Sequence, residues 1–333
     1  MTTSETVSAV SADVLIVGAG PAGLYGAYCA GFRGLATVVV DVLPQAGGQV
    51  TALYPEKEIR DVAAIPAIRG RDFVSALVEQ ASAFAPAYLL GRQAVTLEHR
   101  GGEPVVTLDD GTVVHARAVV LTSGIGTPTP RPLECGQEWL GTALSYFVTD
   151  PGVHADRDVV IVGGGDSALD WADALDPIAR SVTLVHRRAA FRGHAGTLAR
   201  VRAGRTRIHT DTRVVAFAGD PAAGRLAKVT LRSGSGDETV VAADHVIAAL
   251  GFVSDLGPLR DWGLELRARS VAVDRSMRTN LPRVYAAGDL AGYEGKVKLM
   301  SVGFGEVATA VNHVAVDLDP GLSLFPGHST DGP

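Results

Sequence analysis

Apolar runs alternate with glycine-punctuated polar stretches along this chain, and the pattern occurs twice. The first copy opens at Asp13 with DVLIVGAGPAGLYGAYCAGFRGLATVVVD, the second at Asp158 with DVVIVGGGDSALDWADALDPIARSVTLVHRR. Each is an apolar run of strand length, a glycine cluster, a helix-period pattern and a second apolar run. That order predicts strand, loop, helix, strand, the opening unit of a Rossmann-like nucleotide fold. Each copy has a matching tail. VVTLDDGTVVHARAVVLTSG predicts a hairpin about an Asp-Gly turn and then a buried strand, and KVTLRSGSGDETVVAADHVIAALG repeats the plan.

The fold class expected is therefore α/β, with two Rossmann-like, three-layer nucleotide-binding domains. The Pro-rich stretch GTPTPRPL (126–133) suits a linker, and its glycines and prolines suit a hinge. After a second crossing near 260–280 come VYAAGD and a last helical pattern, SVGFGEVATAVNHVAVDL, with no glycine loop of its own. That stretch is expected to complete the first domain. The first domain would then be discontinuous, 1–126 and 270–333, with the second inserted as 127–269. The first dozen residues read as a short tail before the first strand.

The two loops differ in the residues beyond them. Gly18-Ala19-Gly20-Pro21-Ala22-Gly23 comes after LIV and opens a helix, the context a GxGxxG loop requires. Gly18 allows the tight turn, Gly20 lets the backbone approach a pyrophosphate, and Gly23 lets helix and strand pack closely. Asp41 ends the next strand, where an acid accepts hydrogen bonds from a ribose diol. The second loop is Gly163-Gly164-Gly165-Asp166-Ser167-Ala168, the GxGxxA form. The position matching Asp41 holds His186, followed by Arg187, Arg188 and Arg192. Arginines there bind a 2′-phosphate that an acid would repel, so this domain is expected to prefer NADPH over NADH. Two nucleotide folds in one chain imply a relay between a bound flavin and a pyridine nucleotide.

Composition narrows the reading. The chain has 333 residues, with 39 glycines and 20% charged residues, and its formal net charge is −6. No overall basic field for nucleic acid is present, no apolar stretch reaches the ~20 residues of a membrane span, and the N-terminus does not read as a secretory signal. Two cysteines, Cys29 and Cys135, make neither a disulfide framework nor a cysteine zinc cage, and no histidine spacing suggests a metal. A cytoplasmic setting is the expectation. From Arg180 to Thr210 there are eight arginines and no acid, a local positive patch suited to an acidic electron carrier.

Taken together, the residues resemble a family, the thioredoxin-reductase-like ferredoxin/flavodoxin–NADP⁺ reductases. The motifs that carry the resemblance are GAGPAG (18–23), GGQVTALYPEKEIRDVAAIPAIRG (47–70), SYFVTDP (145–151), VGGGDSALDWA (162–172), HRRAAFRGH (186–194), TNLPRVYAAGDL (279–290), KVKLMSVGFGEVATAVNH (296–313) and PGHST (326–330). They span nearly the whole chain. The resemblance implies FAD in the first domain, on Gly18, Gly20, Ala22, Gly23 and Asp41, with flavin contacts near Gln49 and Tyr54 and backbone contacts near Ala94 and Pro128. It puts Gly288 and Asp289 by the ribityl chain or phosphates, and Thr330 beside the flavin. It also implies a ring sandwiched between Tyr54 and His328, so the catalytic list holds two stacking groups and no acid or base. The family often has an aromatic residue where this chain has Pro128. The helix near Ser301 would aim its N-terminus at the flavin and favour an anionic reduced form.

NADP(H) would take Gly163, Gly165, Asp166, Ser167, Ala168, His186, Arg187, Arg188 and Arg192. The cysteine pair of a thioredoxin reductase would fall where Tyr146 to Thr149 stand, so no dithiol relay is expected. The implied activity is electron transfer between NADP(H) and ferredoxin or flavodoxin, by hydride transfer to flavin N5 and single-electron steps to the carrier, in a homodimer. An NADPH oxidase or diaphorase acting on dioxygen, quinones or iron chelates keeps every motif, as does a non-catalytic redox-sensing flavoprotein.

Overall fold

A computed structural model describes residues 9–124 and 126–328. The chain divides into two compact units, Met1–Thr127 with Ser254–Pro333, and Pro128–Val253. The first begins with β1 (Ala9–Val17), α1 (Pro21–Phe32) and β2 (Thr37–Asp41). Next come α2 (Gln49–Leu53), a small hairpin of β3 (Glu58–Ile59) and β4 (Ile68–Arg69), and α3 (Gly70–Ser82). β5 (Ala87–Leu90), β6 (Ala94–Arg100), β7 (Glu103–Leu108) and β8 (Val113–Leu121) complete this stretch.

The second unit starts within β9 (Thr127–Pro130). It continues through β10 (Leu144–Ser145), β11 (Asp158–Gly163), α4 (Asp166–Leu175), β12 (Ser181–Val185), α5 (Ala195–Ala203) and β13 (Arg207–His209). It then runs through β14 (Thr212–Asp220), β15 (Arg225–Ser233), β16 (Glu238–Ala242), β17 (His245–Ala249) and β18 (Phe252–Asp255). The chain returns to the first unit with β19 (Leu266–Arg267), β20 (Ser270–Ala272), β21 (Val284–Ala286), β22 (Ala291–Gly292) and α6 (Met300–Leu318).

In the first unit the sheet order is β5-β2-β1-β8-β7-β6, and β21 also pairs with β8. β1 is parallel to both neighbours, so it lies at the centre and is covered on both faces. That accounts for its unbroken apolar run. Val14 and Ile16 face a core shared with α1 and α6. Leu15 and Val17 face the opposite core, with Val106, Leu256 and Trp262. α1 approaches α6 on small residues, and a Cβ at Gly26 would stand 2.7 Å from Val307 Cγ2. In the second unit the order is β10-β17-β11-β12-β13, parallel throughout, with a separate three-stranded antiparallel sheet β14-β15-β16.

Two boundaries differ from the sequence expectation. The second division falls at Val253/Ser254, not at 269/270. Leu256, Leu259, Trp262 and Leu264 belong to the core beneath β1 and β8, and Trp262 Nε1 donates to the Val95 carbonyl at 2.9 Å. Burial against the first sheet therefore claims this segment for the first unit. The first strand also begins earlier than expected. Ala9 to Ala12 extend β1, in register with Val113 to Ala116 of β8, because a strand edge left unpaired beside β8 would leave backbone groups unsatisfied.

Candidate functional site

The first glycine loop connects β1 to α1, and close packing holds its shape. Gly18 has φ +117°, and a Cβ there would lie 2.6 Å from the Thr122 backbone. A Cβ at Gly23 would collide with the Gly18 carbonyl oxygen. Thr122, buried after β8, ties the loop by donating its hydroxyl to Gly18 O at 2.8 Å. At Gly20 a Cβ would meet nothing within 4 Å. Gly20 also caps α1 with no side-chain partner, and Pro21 stands at the first helical position. The backbone there is open at a helix N-terminus, the arrangement that accepts a phosphate.

The loop's surroundings come from distant sequence. Asp41, at the end of β2, accepts the Ala19 N–H through Oδ2 at 2.6 Å and the Leu43 N–H through Oδ1 at 2.8 Å. Burial pushes its carboxyl above the ordinary carboxylate range, and those two N–H groups pull it partly back. The Arg92 N–H donates to the Asp41 carbonyl at 2.9 Å, which brings the backbone leading to Ala94 alongside. The Ala94 side chain itself is buried in the core, so only its backbone is available there. Gln49 opens α2, and its Nε2 lies 3.3 Å from the position of a Cβ on Gly124. Gly288, two residues beyond β21 and with φ +73°, fits between α1 and α6. Its own Cβ would meet Ala22 Cβ at 3.3 Å, and a Cβ on Gly303 would meet Gly288 Cα at 3.3 Å. Asp289 comes next and acts electrostatically on Tyr54. Desolvation first, then Asp289 and Asp61, push the Tyr54 phenol up to about 12. Tyr54 packs in the cluster that holds Leu24, Met300 and Phe304, with Lys57 Nζ 5.6 Å from its ring centre.

Gly18, Gly20, Ala22, Gly23, Asp41, Gln49, Tyr54, Gly288 and Asp289 thus converge at the N-terminal ends of α1 and α6. His328 does not join them within one chain. It lies in the segment leaving the C-terminal end of α6, where Arg33, at the far end of α1, donates to the Ser323 carbonyl at 2.8 Å. There His328 packs edge-on against Phe325, with ring centres 5.1 Å apart. α6 is 19 residues long, a span of roughly 28 Å. The Pro128 backbone lies in β9, and Thr330 lies outside the described residues.

In the second unit the loop joins β11 to α4. A Cβ at Gly163 would collide with the Ala249 carbonyl and crowd Ala168, which is fully buried. Gly165 is open, with nothing within 4 Å of its Cβ position, and it caps α4. The segment after β12 folds over this loop. The Arg192 N–H donates to Gly164 O at 2.8 Å, and the His194 N–H donates to Asp166 Oδ1 at 2.8 Å. Asp166 therefore fastens the segment that leads into α5, and Ser167 stands exposed in the first turn. His186 departs from its expected role. It is 6% exposed, lies flat on Gly164 and stacks on Phe191 at 5.0 Å. Burial first, then three nearby arginines, hold its pKa below the ordinary imidazole value, opposed by a hydrogen bond with the Ala190 carbonyl. It is a packing element under the loop, not an exposed reader of phosphate. Arg187, Arg188 and Arg192 border the loop and form no ion pair among the described residues. Arg187 also lines a pocket of about 370 Å³ with Asp211, Arg213 and Arg232.

Sequence reasoning passed over Thr122, Lys296 and Glu306. The last had a signal, a lone acid inside the apolar helical pattern SVGFGEVATAV. Among the described residues no His, Cys, Asp or Glu cluster suits a metal, and no helix is long and apolar enough to cross a membrane. Cys29 is buried in the α1 core, where desolvation pushes its thiol up to about 12, and Cys135 is partly buried.

Two open glycine loops at helix N-termini, each at the carboxyl end of a strand with parallel neighbours on both sides, define a two-nucleotide oxidoreductase. Residues 12–313 match the pyridine nucleotide-disulphide oxidoreductase family, and the chain belongs to it. A ferredoxin–NADP reductase of Salinispora tropica is 55% identical over 319 residues, 96% of this chain and 98% of that protein. One of Frankia alni is 58% identical over 318 residues, 95% and 98% respectively. Among solved structures, a thioredoxin reductase of T. acidophilum superposes with a TM-score of 0.82 at 23% identity, over 92% of this chain and 99% of that one. At that identity the likeness shows the fold.

Proposed function

We propose that the chain is a ferredoxin–NADP⁺ reductase, an FAD-dependent oxidoreductase that passes electrons between NADP(H) and ferredoxin or flavodoxin. The observation that carries this reading is the contrast between the two open loops. One is flanked by a partly buried acid, Asp41, and the other is bordered by three arginines with no ion-pair partner among the described residues. An acid suits a ribose diol and arginines suit a 2′-phosphate, so FAD belongs to the first unit and NADP(H) to the second. The names of the similar proteins agree with this assignment.

When bound, FAD supplies the exchange between a hydride donor and a one-electron carrier. The chain's own groups bind and orient. The open Gly20 and Gly165 backbones take phosphates, Asp41 takes a ribose, Tyr54 offers a flat face, and Asp289 approaches from the β21 side. The family resemblance adds FAD contacts at Ala94, Pro128 and Thr330. No side-chain acid, base or thiol pair is needed. The two cysteines, 106 positions apart in sequence, form no CxxC. His328 is assigned as the second stacking group by resemblance. The exposed Leu322, Leu324 and Phe325 near it suit burial in a homodimer. A cytoplasmic location fits the two free thiols.

The test is anaerobic stopped-flow reduction by NADPH, then mixing with oxidised ferredoxin. Fast reduction and ferredoxin-dependent reoxidation are expected. Reoxidation only by dioxygen or quinone would replace this reading with an oxidase or diaphorase. Slow turnover with every acceptor would leave a redox-sensing flavoprotein.

A further inference from the structure

Buried beneath Gly288 is a polar network that none of the assigned roles uses. Lys296 Nζ pairs with both oxygens of Glu306, at 2.6 Å to Oε2 and closely to Oε1, and donates to the Gly288 carbonyl at 3.0 Å. Glu306 Oε2 accepts the Gly288 N–H at 2.9 Å, and Oε1 accepts the Tyr293 hydroxyl at 2.5 Å. The Lys296 and Glu306 side chains are 8% and 5% exposed.

An ammonium has three protons and a carboxylate about four acceptor positions. Here all three protons and four acceptances are used inside the network. Nothing is left over to act on a substrate, so neither group is an acid or base for the reaction. What the network grips is both polar groups of a single residue. The N–H of Gly288 is held by the anion and its C=O by the cation. Two consecutive peptide planes meet at Gly288, so both are fixed in orientation. Gly288 needs this restraint, because with φ +73° it has the freedom only glycine has. It is the last residue before Asp289, whose carboxylate bears on Tyr54.

We propose that Lys296 and Glu306 are positioning residues for the flavin site, a neutral buried clamp that sets the Gly288 peptide and through it the direction of Asp289. The inference rests on the assignment of FAD to the first unit. Taking one partner away would leave a buried charge unpaired and risk the fold, so the test uses variants that avoid this. Lys296→Met/Glu306→Gln removes both charges, keeps an acceptor for the Gly288 N–H and loses the donor to its carbonyl. Glu306→Asp keeps the ion pair but draws the acceptor back by one methylene.

The deflavinated full-length chain is titrated with FAD, and the midpoint potential and visible band of the bound flavin are recorded. Both variants are expected to bind FAD about tenfold or more weakly, as when the partner that orients a ligand is lost, with a shifted flavin band. NADPH affinity of the second unit stays unchanged. Lys296→Arg, which keeps charge and donors, is expected to recover part of the loss. Wild-type FAD affinity, band and potential in either folded variant would overturn the proposal and leave the pair a stabilising element only. Failure of the wild-type chain itself to take up FAD would overturn the cofactor assignment instead, so the two failures are distinct.

Discussion

The imidazole of His186 lies face-on to the backbone of Gly164, so closely that a Cβ on that glycine would collide with the ring. The ring fills the space that a side chain on Gly164 would take. Gly164→Ala should therefore overpack the loop, at a cost of about 1–3 kcal/mol to the stability of the second unit. Pairing it with His186→Ala should relieve the collision. Unfolding midpoints of the two single variants and the double report this as a positive coupling. Additive losses would contradict it.

Gly20 and Gly23 separate two roles of one motif. Gly20 has an ordinary extended backbone and open space at its Cβ position, so Gly20→Ala should leave the apoprotein's melting temperature near wild type. Its methyl group would stand where a pyrophosphate approaches, so FAD affinity should fall. Gly23→Ala drives a Cβ into the Gly18 carbonyl and should lower the apoprotein's stability itself. Calorimetry of the deflavinated variants beside FAD titration distinguishes the two.

Arg187, Arg188 and Arg192 have no ion-pair partners among the described residues. Arg188→Ala should raise the KM for NADPH by about tenfold, the scale of one lost charge-assisted hydrogen bond of ~1.5 kcal/mol, and leave the KM for NADH nearly unchanged. Steady-state assays with both nucleotides measure the ratio. An equal loss for both would mean the residue does not read the 2′-phosphate.

The second unit should lose stability in mild acid. His245, 9% exposed, donates to or accepts from Ser145 Oγ at 2.9 Å and packs edge-on against buried His154 at 4.8 Å. Burial first, then the neighbouring His154 and Arg157, hold His245 down at about 4, and burial also lowers His154. An imidazole depressed in the folded state takes up its proton more readily when unfolded. Its stabilising contribution is therefore complete above the unfolded value of about 6.5 and is lost as pH falls toward 4, a matter of ~3 kcal/mol for His245. Urea unfolding between pH 7 and 4 should show that slope, and His245→Asn should flatten it. An unchanged slope would place the proton uptake elsewhere.

Charge reversal at Arg202 and Arg207 should raise the KM for ferredoxin and weaken its salt dependence, since both are exposed and without ion-pair partners among the described residues. Arg205 is a poorer choice, because its backbone and side chain are bonded to Asp176. Unchanged kinetics in the double variant would remove this face from carrier docking.

Much of the architecture is legible in local sequence. The two glycine loops, the strands before them, the helices after them and the difference between Asp41 and Arg187–Arg188 are all short-range features. Apolar period, helix capping and close backbone approach act over a few residues, so a single stretch of chain carries them. Other features depend on partners that sequence does not place side by side. The run from Arg180 to Thr210 contains no acid, yet Arg180 pairs with Asp158 and Asp244, Arg200 with Asp173 and Arg205 with Asp176. Fewer free charges remain than the run suggests. His186 reads as a phosphate neighbour and is instead buried under Gly164. Leu256 to Leu264 join the first unit because its sheet has an apolar face to cover, which no local signal announces. The clamp of Lys296 and Glu306 on Gly288 joins three residues from a loop, a helix and the turn after β21. Sequence by itself determined the elements and the class of ligand each loop suits. Only tertiary packing decided which charges are neutralised and which peptides are held, because burial and pairing are properties of neighbours in space.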